Sequence, residues 1–196
     1  MATRRNPRFK ECRRLGTNVC GHPKAMAKAG NQGYKRRKPT EYSLQLTEKQ
    51  KLKAYYGILE KQLRNYYAKA NKKDIKTGDA LVGLLEVRLD NFVYRLGIGS
   101  SIRQARQLVN HGHILVNSKK IDIPSYEIKV GDKITLREKS RKNEILKKNF
   151  LGTPNFNLPY ISKDEAAFGG MLSRLPARNE VPIEVNDQLV VEFYSR

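Results

Sequence analysis

The stretch Arg88–Leu136, RLDNFVYRLGIGSSIRQARQLVNHGHILVNSKKIDIPSYEIKVGDKITL, constrains the fold more than any other part of the chain. It joins a basic helical pattern to a His-bearing turn and then to short, Lys-studded strands. Over 101–110, Ile102, Ala105, Leu108 and Val109 recur at helical spacing and predict a buried side, leaving Arg103, Gln104, Arg106 and Gln107 facing out. Ser100 or Ser101 supplies an N-cap, and Gly112 a C′ residue. The period then falls to two. Leu115, Ile121 and Ile123, Ile128 and Val130, and Ile134 and Leu136 alternate, with turn signals at Asn117-Ser118, Pro124-Ser125 and Gly131-Asp132. This predicts a small antiparallel sheet behind a helix pair.

Charge says what such a layer is for. Lys plus Arg number 39 against 19 Asp plus Glu, a formal net charge of +20, and the sequence pI is near 10.1. That balance calls for a polyanionic partner, and a phosphate backbone is the usual one. An anionic membrane is the rival, but Trp anchors are absent and no apolar run approaches the roughly 20 residues that span a bilayer. The N-terminus MATRRNPRFKECRR lacks the apolar segment of a secretory signal, and two cysteines fit a reducing compartment. The expectation is a soluble cytoplasmic protein, with no membrane and no homo-oligomer.

Three regions flank or follow that stretch. Residues 1–46 hold many cations, a single acid up to Thr40 (Glu11) and few large apolar residues, which predicts a basic extended arm that orders on a partner. From Thr47, whose spacing to Gln50 fits a capping box, Leu52, Tyr55, Tyr56, Leu59, Leu63, Tyr66 and Tyr67 form one apolar helical face. Gly57 interrupts it, giving a kink or two helices. A further helix runs from Thr77 through Leu81, Leu85, Leu89 and Phe92 to Gly97. Residues 137–185 are basic and then Gly/Pro-rich, and read mostly as loop. The end, VNDQLVVEFYSR, fits a strand or a helix capped by Asn186, the helix being favoured. The whole is α+β: an arm (1–46), a mainly helical subdomain (47–87, completed by 180–196), and an inserted α/β domain with its extension (88–179).

The helix 101–110 is the sharpest functional candidate. Its N-terminus offers free N–H groups beside the Ser100 and Ser101 hydroxyls. Arg103 and Arg106, three apart, share a face and can straddle adjacent phosphates, while Gln104, Gln107, Asn110, His111 and His113 can donate to phosphate or 2′-hydroxyl. An ordinary solvated helix face is the bland alternative, which the net charge disfavours. Cations spread along the chain suit a large folded RNA read by shape. Cys12, Cys20 and His22 make a weak metal set, because structural zinc takes four ligands and usually a close cysteine pair; two reduced thiols and no cofactor are expected. Arg88-Leu89-Asp90 resembles the active-site segment of pseudouridine synthases. Inside an apolar helical pattern, however, Asp90 more simply pairs with Arg88, Arg95 or a neighbouring helix.

SSIRQARQLVNHGHILVN followed by KKIDIPSY resembles the S-four RNA-binding domain, a module also found in RNA-modifying enzymes, tRNA synthetases and heat-shock ribosome-binding factors. The flanks narrow this. TEYSLQLTEKQKLKAYYGILEKQLRNYY, GLLEVRLDNFVYRLG, REKSR and LVVEFYSR are similar to the bacterial-type S-four family of small-subunit ribosomal proteins. The resemblance covers residues 40–140 and 170–196. It implies a non-enzymatic protein that binds the 5′ domain of small-subunit rRNA early in assembly, contacts ribosomal protein S-five, and bears on translational accuracy and the channel through which mRNA enters.

Positions matching the family's RNA-contacting segment are Arg88, Ser100, Ser101, Arg103, Gln104, Arg106, Gln107, His111, Gly112, His113, Asn117, Lys119, Lys120, Ser125 and Tyr126. Lys35, Arg36 and Lys38 align with its basic patch at the mRNA path. Two departures are plain. Some members carry four N-terminal cysteines that bind zinc, of which only Cys12 keeps a comparable place; and the family's Pro-Gly-Gln-His-Gly motif is here Gly30-Asn31-Gln32-Gly33.

Overall fold

Helices come first along this chain and strands late, as the α+β reading expects. The structure is a computed structural model that describes residues 6–28, 38–152 and 158–196. Lys35, Arg36 and the Gly30–Gly33 motif lie outside the described residues. Two compact units are formed, Met1–Leu81 with Pro182–Arg196, and Val82–Val181.

In the first unit, helix α1 (Arg8–Leu15) ends at Gly16 with φ +71°, and a 3-10 turn covers Pro23–Met26. Cys12, Leu15, Val19 and Ala25 form a small core against which Phe9, Met26, Ala54 and Tyr55 pack. Composition alone predicts extended chain here; the segment folds because its few apolar residues find Ala54 and Tyr55 of another helix to cover them. That helix, α2 (Glu41–Tyr55), begins earlier than the capping-box spacing at Thr47 suggests. Thr40 is the N-cap, its Oγ1 accepting the Ser43 N–H at 3.3 Å, while Thr47 sits inside the helix and donates to the Ser43 carbonyl at 2.7 Å. Gly57, at φ +59°, turns the chain, so the Gly57 interruption resolves into two helices, α2 and α3 (Glu60–Ala70).

The last helix of the chain, α9 (Asp187–Ser195), is capped by Asn186, whose side chain accepts from the Gln188 and Leu189 N–H groups. It packs on α2. Gln45 Nε2 donates to Glu192 at 3.1 Å, and Lys49 Nζ lies 4.1 Å above the Phe193 ring while bonding Glu60 at 3.1 Å. Tyr194 donates to the same Glu60 at 2.8 Å.

The second unit opens with the end of α4 (Thr77–Glu86), followed by α5 (Leu89–Arg95). The apolar run to Gly97 reads as one helix; it is two, because Arg88 takes an extended conformation, φ −70° and ψ 138°, and bridges Glu127. Helix α6 (Ile102–Asn110) follows. The sheet has five antiparallel strands in the order β2-β1-β3-β5-β4, with β1 Ile114–Val116, β2 Lys119–Lys120, β3 Lys133–Leu136, β4 Ile161–Asp164 and β5 Gly169–Leu172. Ile114, Val116, Ile134, Leu136 and Leu172 point into a core shared with Phe92, Val93 and Leu96 of α5 and Ala105, Leu108 and Val109 of α6.

Two further expectations are corrected. Residues 121–130 are not strands: Pro124 and a turn closed by Tyr126 N–H on the Ile123 carbonyl at 3.0 Å interrupt pairing, leaving Ile123 and Val130 exposed. The region 137–185 is not mainly loop, since it supplies α7 (Glu138–Arg141), α8 (Glu144–Gly152), β4 and β5. Two of the glycines that make it read as loop, Gly169 and Gly170, are there for close packing. A Cβ on Gly169 would collide with the Ile134 carbonyl oxygen, and one on Gly170 would lie 2.5 Å from Leu96 Cδ2.

Candidate nucleic-acid interface

Helix α6 is fixed at both ends by the residues the spacing named. Ser101 Oγ accepts the Gln104 N–H at 3.3 Å, and Gln104 Oε1 accepts the Ser100 N–H at 2.6 Å and its hydroxyl at 2.7 Å. At the other end the His113 N–H reaches the Leu108 carbonyl at 3.0 Å and the Gly112 N–H reaches Val109 at 2.9 Å. With Gly112 at φ +70°, this is a Schellman closure. Arg103, Gln107, Asn110 and His111 are left on the exposed side.

Arg106 is not among them. Its guanidinium turns inward and holds Asp90 Oδ2 through Nε at 2.9 Å and NH2 at 2.6 Å. Arg88 grips the same carboxylate, Nε to Oδ1 at 3.1 Å and NH2 to Oδ2 at 2.9 Å. Asp90 is 0% exposed and Arg88 1%. Arg88 therefore cannot lie on an RNA-facing surface, and Arg106 does not straddle phosphates beside Arg103: a buried anion draws in cations, and these two are within reach. Asp90 pairs as the packing reading of Arg88-Leu89-Asp90 expects, with no room for a substrate. Arg95, its third expected partner, serves Glu86 instead, at 2.7 Å. Glu86 also accepts from Asn91 at 2.9 Å and Tyr160 at 3.1 Å. Burial and the Glu86 charge push the Tyr160 hydroxyl far above the ordinary phenol range.

The same tie orders a neighbouring loop. The Leu89 N–H donates to the Tyr126 carbonyl at 2.9 Å and the Asp90 N–H to Pro124 at 3.1 Å. Tyr126 packs partly on the core, while Ser125 stays exposed.

Beyond α6 the chain makes a hairpin, with Val116 opposite Lys119 and Leu115 opposite Lys120. Asn117 and Ser118 have φ of +48° and +66°, the two positive values of a type I′ turn. Lys119 and Lys120 are exposed, whereas Gly112 is buried beneath the Lys120 side chain, whose Nζ would lie 3.0 Å from an added Cβ. Asn117 is used internally, donating to Asp132 at 2.8 Å and accepting the Lys133 N–H at 2.9 Å. His113 Nδ1 lies 2.8 Å from Ser140 Oγ. Burial, then the charges of His111 and Arg137, lower the His113 pKa.

Arg137 is a residue the sequence reading does not place here. The pairing of Ile114 with Leu136 carries exposed Arg137 next to His113, and its N–H donates to the His113 carbonyl at 2.8 Å. Only the strand register reveals it. Lys38 is exposed and belongs to the other unit.

With this geometry in view, the comparisons with known proteins are specific. Residues 87–134 match the S4 domain, and residues 3–86 match the ribosomal protein S4/S9 N-terminal domain. Small ribosomal subunit protein uS4 of Finegoldia magna is 54% identical over 199 residues, covering 100% of both chains. The chain belongs to the uS4 family of small ribosomal subunit proteins. A second member, uS4B of Clostridium acetobutylicum, is 53% identical over 196 residues, again covering 100% of both. Both relatives carry the names of ribosomal proteins and not of enzymes. The S4-domain match ends at 134, before β4 and β5, which extend the sheet beyond it. Among the described residues, no group of three or more His, Cys, Asp or Glu is placed to hold a metal ion, and no helix is long and apolar enough to cross a membrane.

Proposed function

We propose that this chain is a structural protein of the small ribosomal subunit in the cytoplasm, and that it binds the 5′ domain of small-subunit rRNA early in assembly. The observation that carries the reading is the exposed set of Arg103, Gln107, His111, Lys119, Lys120 and Arg137 on α6, its C-terminal turn, the β1–β2 hairpin and the end of β3 beside His113. These donors sit on elements whose caps and core packing are already satisfied, so meeting an RNA surface costs little ordering. Ser100 and Ser101 stand at the α6 N-terminus, whose positive dipole end favours phosphate. Family membership supports two finer roles: contact with ribosomal protein S-five, and contact with mRNA at the channel it enters through Lys35, Arg36 and Lys38, with an effect on translational accuracy.

Filter binding of a small-subunit rRNA fragment across a salt series tests it. For Arg103→Ala combined with Lys119→Ala and Lys120→Ala, the slope of log affinity on log salt becomes shallower by roughly 0.7 to 0.9 for each phosphate no longer neutralised. An unchanged affinity and slope would remove this surface from the interface. Because these side chains are exposed, urea midpoints should stay close to the parent's.

A further inference from the structure

Helix α7 is a single turn, and Ser140 is the one residue it buries. The REKSR segment that forms it follows β3 directly, and its backbone is tied to the turn that ends α6. The Arg137 N–H donates to the His113 carbonyl at 2.8 Å, while the Arg137 carbonyl accepts the Ser140 N–H at 2.8 Å and the Arg141 N–H at 3.2 Å. Arg141 Nε donates to the Leu136 carbonyl at 3.0 Å and pins the other side of the turn. These bonds bring the Ser140 hydroxyl to 2.8 Å from His113 Nδ1. Ser140 is 8% exposed, so water has little access to that contact. Among the described residues the opposite ring nitrogen, Nε2, has no hydrogen-bond partner and is open to solvent. Two exposed side chains flank the ring, Arg137 and His111, and the His111 centroid lies 6.1 Å from that of His113.

Resting on the RNA-binding reading above, we infer that Ser140 is a positioning residue: its hydroxyl donates to His113 Nδ1 and so fixes the ring proton on Nε2, which stands beside Arg137 as a donor to an RNA phosphate. A neutral imidazole carries one N–H, and the hydrogen bond made by one nitrogen decides which of the two holds it. Burial, then the neighbouring charges of His111 and Arg137, favour the neutral ring, so the choice has to be made. With the proton on Nδ1, Nε2 would turn a lone pair toward the phosphate and repel it. A hydroxyl suits the position because it rotates. It donates to Nδ1 while the ring is neutral and accepts from Nδ1 once the ring is protonated. In both states Nε2 keeps its proton and the ring keeps its place. The one buried side chain of α7 thus sets the chemistry of a surface residue 27 positions earlier in the chain.

The test joins nitrogen NMR of the full chain to filter binding of a small-subunit rRNA fragment. At about pH 8, above the ordinary histidine range, the His113 ring of the parent should carry its proton on Nε2, and Ser140→Ala should mix the two tautomers. Ser140→Ala should also weaken RNA binding by about two- to tenfold, the value of one hydrogen bond, and should have no further effect in a His113→Ala background. A parent with the proton on Nδ1 overturns the inference, as does a Ser140→Ala loss of equal size with and without His113. The NMR reading is made on the parent, so it does not depend on any variant folding. A parent that binds no RNA removes the functional reading and this inference with it, whereas RNA binding that Ser140→Ala leaves unchanged removes the role of Ser140 alone.

Discussion

Arg106, on α6, reaches Asp90, on α5, and places NH2 2.6 Å from Oδ2 of a carboxylate with no solvent exposure. One buried anion thus sets how the helix that carries Arg103 and Gln107 lies on its neighbour. Arg88 holds the other edge of the same carboxylate, so the three residues act together. Asp90→Asn should cost about 3–5 kcal/mol, the usual result of leaving a buried cation uncompensated. Urea unfolding measures it, and a loss under about 1 kcal/mol would show that the triad adds little.

Arg103 and Arg106 should behave differently despite their shared helix. Arg103→Ala is expected to weaken RNA binding and leave the unfolding midpoint in place. Arg106→Ala should lower both, because it uncovers Asp90. A double-mutant cycle between positions 90 and 106 should give a coupling of about 0.5–3 kcal/mol. Additive effects would contradict the geometry.

Glycine substitutions separate close packing from local flexibility. Gly83 lies within α4 with nothing within 4 Å of an added Cβ, so Gly83→Ala should stabilise by about 0.5–1 kcal/mol. Gly169→Ala drives a methyl into the backbone of β3 and should destabilise by about 1–3 kcal/mol. Thermal melts of the two variants should shift in opposite directions.

Acid should find Glu60. Burial alone would raise its pKa, but hydrogen bonds from Lys53, Tyr194 and Lys49 outweigh that and hold the carboxyl at about 2, below its ordinary 4.5. A group whose pKa falls on folding stabilises fully above its unfolded value, and that contribution is lost as pH falls toward the folded one. The parent should therefore lose stability between pH 4.5 and about 2, and Glu60→Gln should flatten that part of the profile. Identical profiles for the two proteins would rule out the Glu60 hydrogen bonds as its source.

What sequence can and cannot reveal follows from how local each cause is. Ser101, Gly112, Gly57 and Asn186 act within a few residues of themselves, so the two ends of α6, the break after α2 and the cap of α9 are all legible. Arg88 is not, because its extended conformation is imposed by Glu127 across a bridge, and helical spacing alone carries through it. Nor is the inward turn of Arg106, which depends on an anion sixteen positions earlier. Gly169 and Gly170 mislead for a related reason: in a sequence a glycine demanded by a neighbouring strand looks the same as one in a loop. The strand phase slips likewise, since Ile114 and Val116 fill the core where the alternation puts Leu115.

The pairing of α9 with α2 has a temporal side. Residues 82–181 form an unbroken stretch, whereas the other unit needs Pro182–Arg196 to rejoin residues before Leu81. Gln45, Lys49 and Glu60 are among the earlier residues of the chain to be made, yet their partners Glu192, Phe193 and Tyr194 are among the last. Domains fold as units while a chain emerges from its N-terminus. A newly made copy of this protein therefore finishes its middle before its beginning.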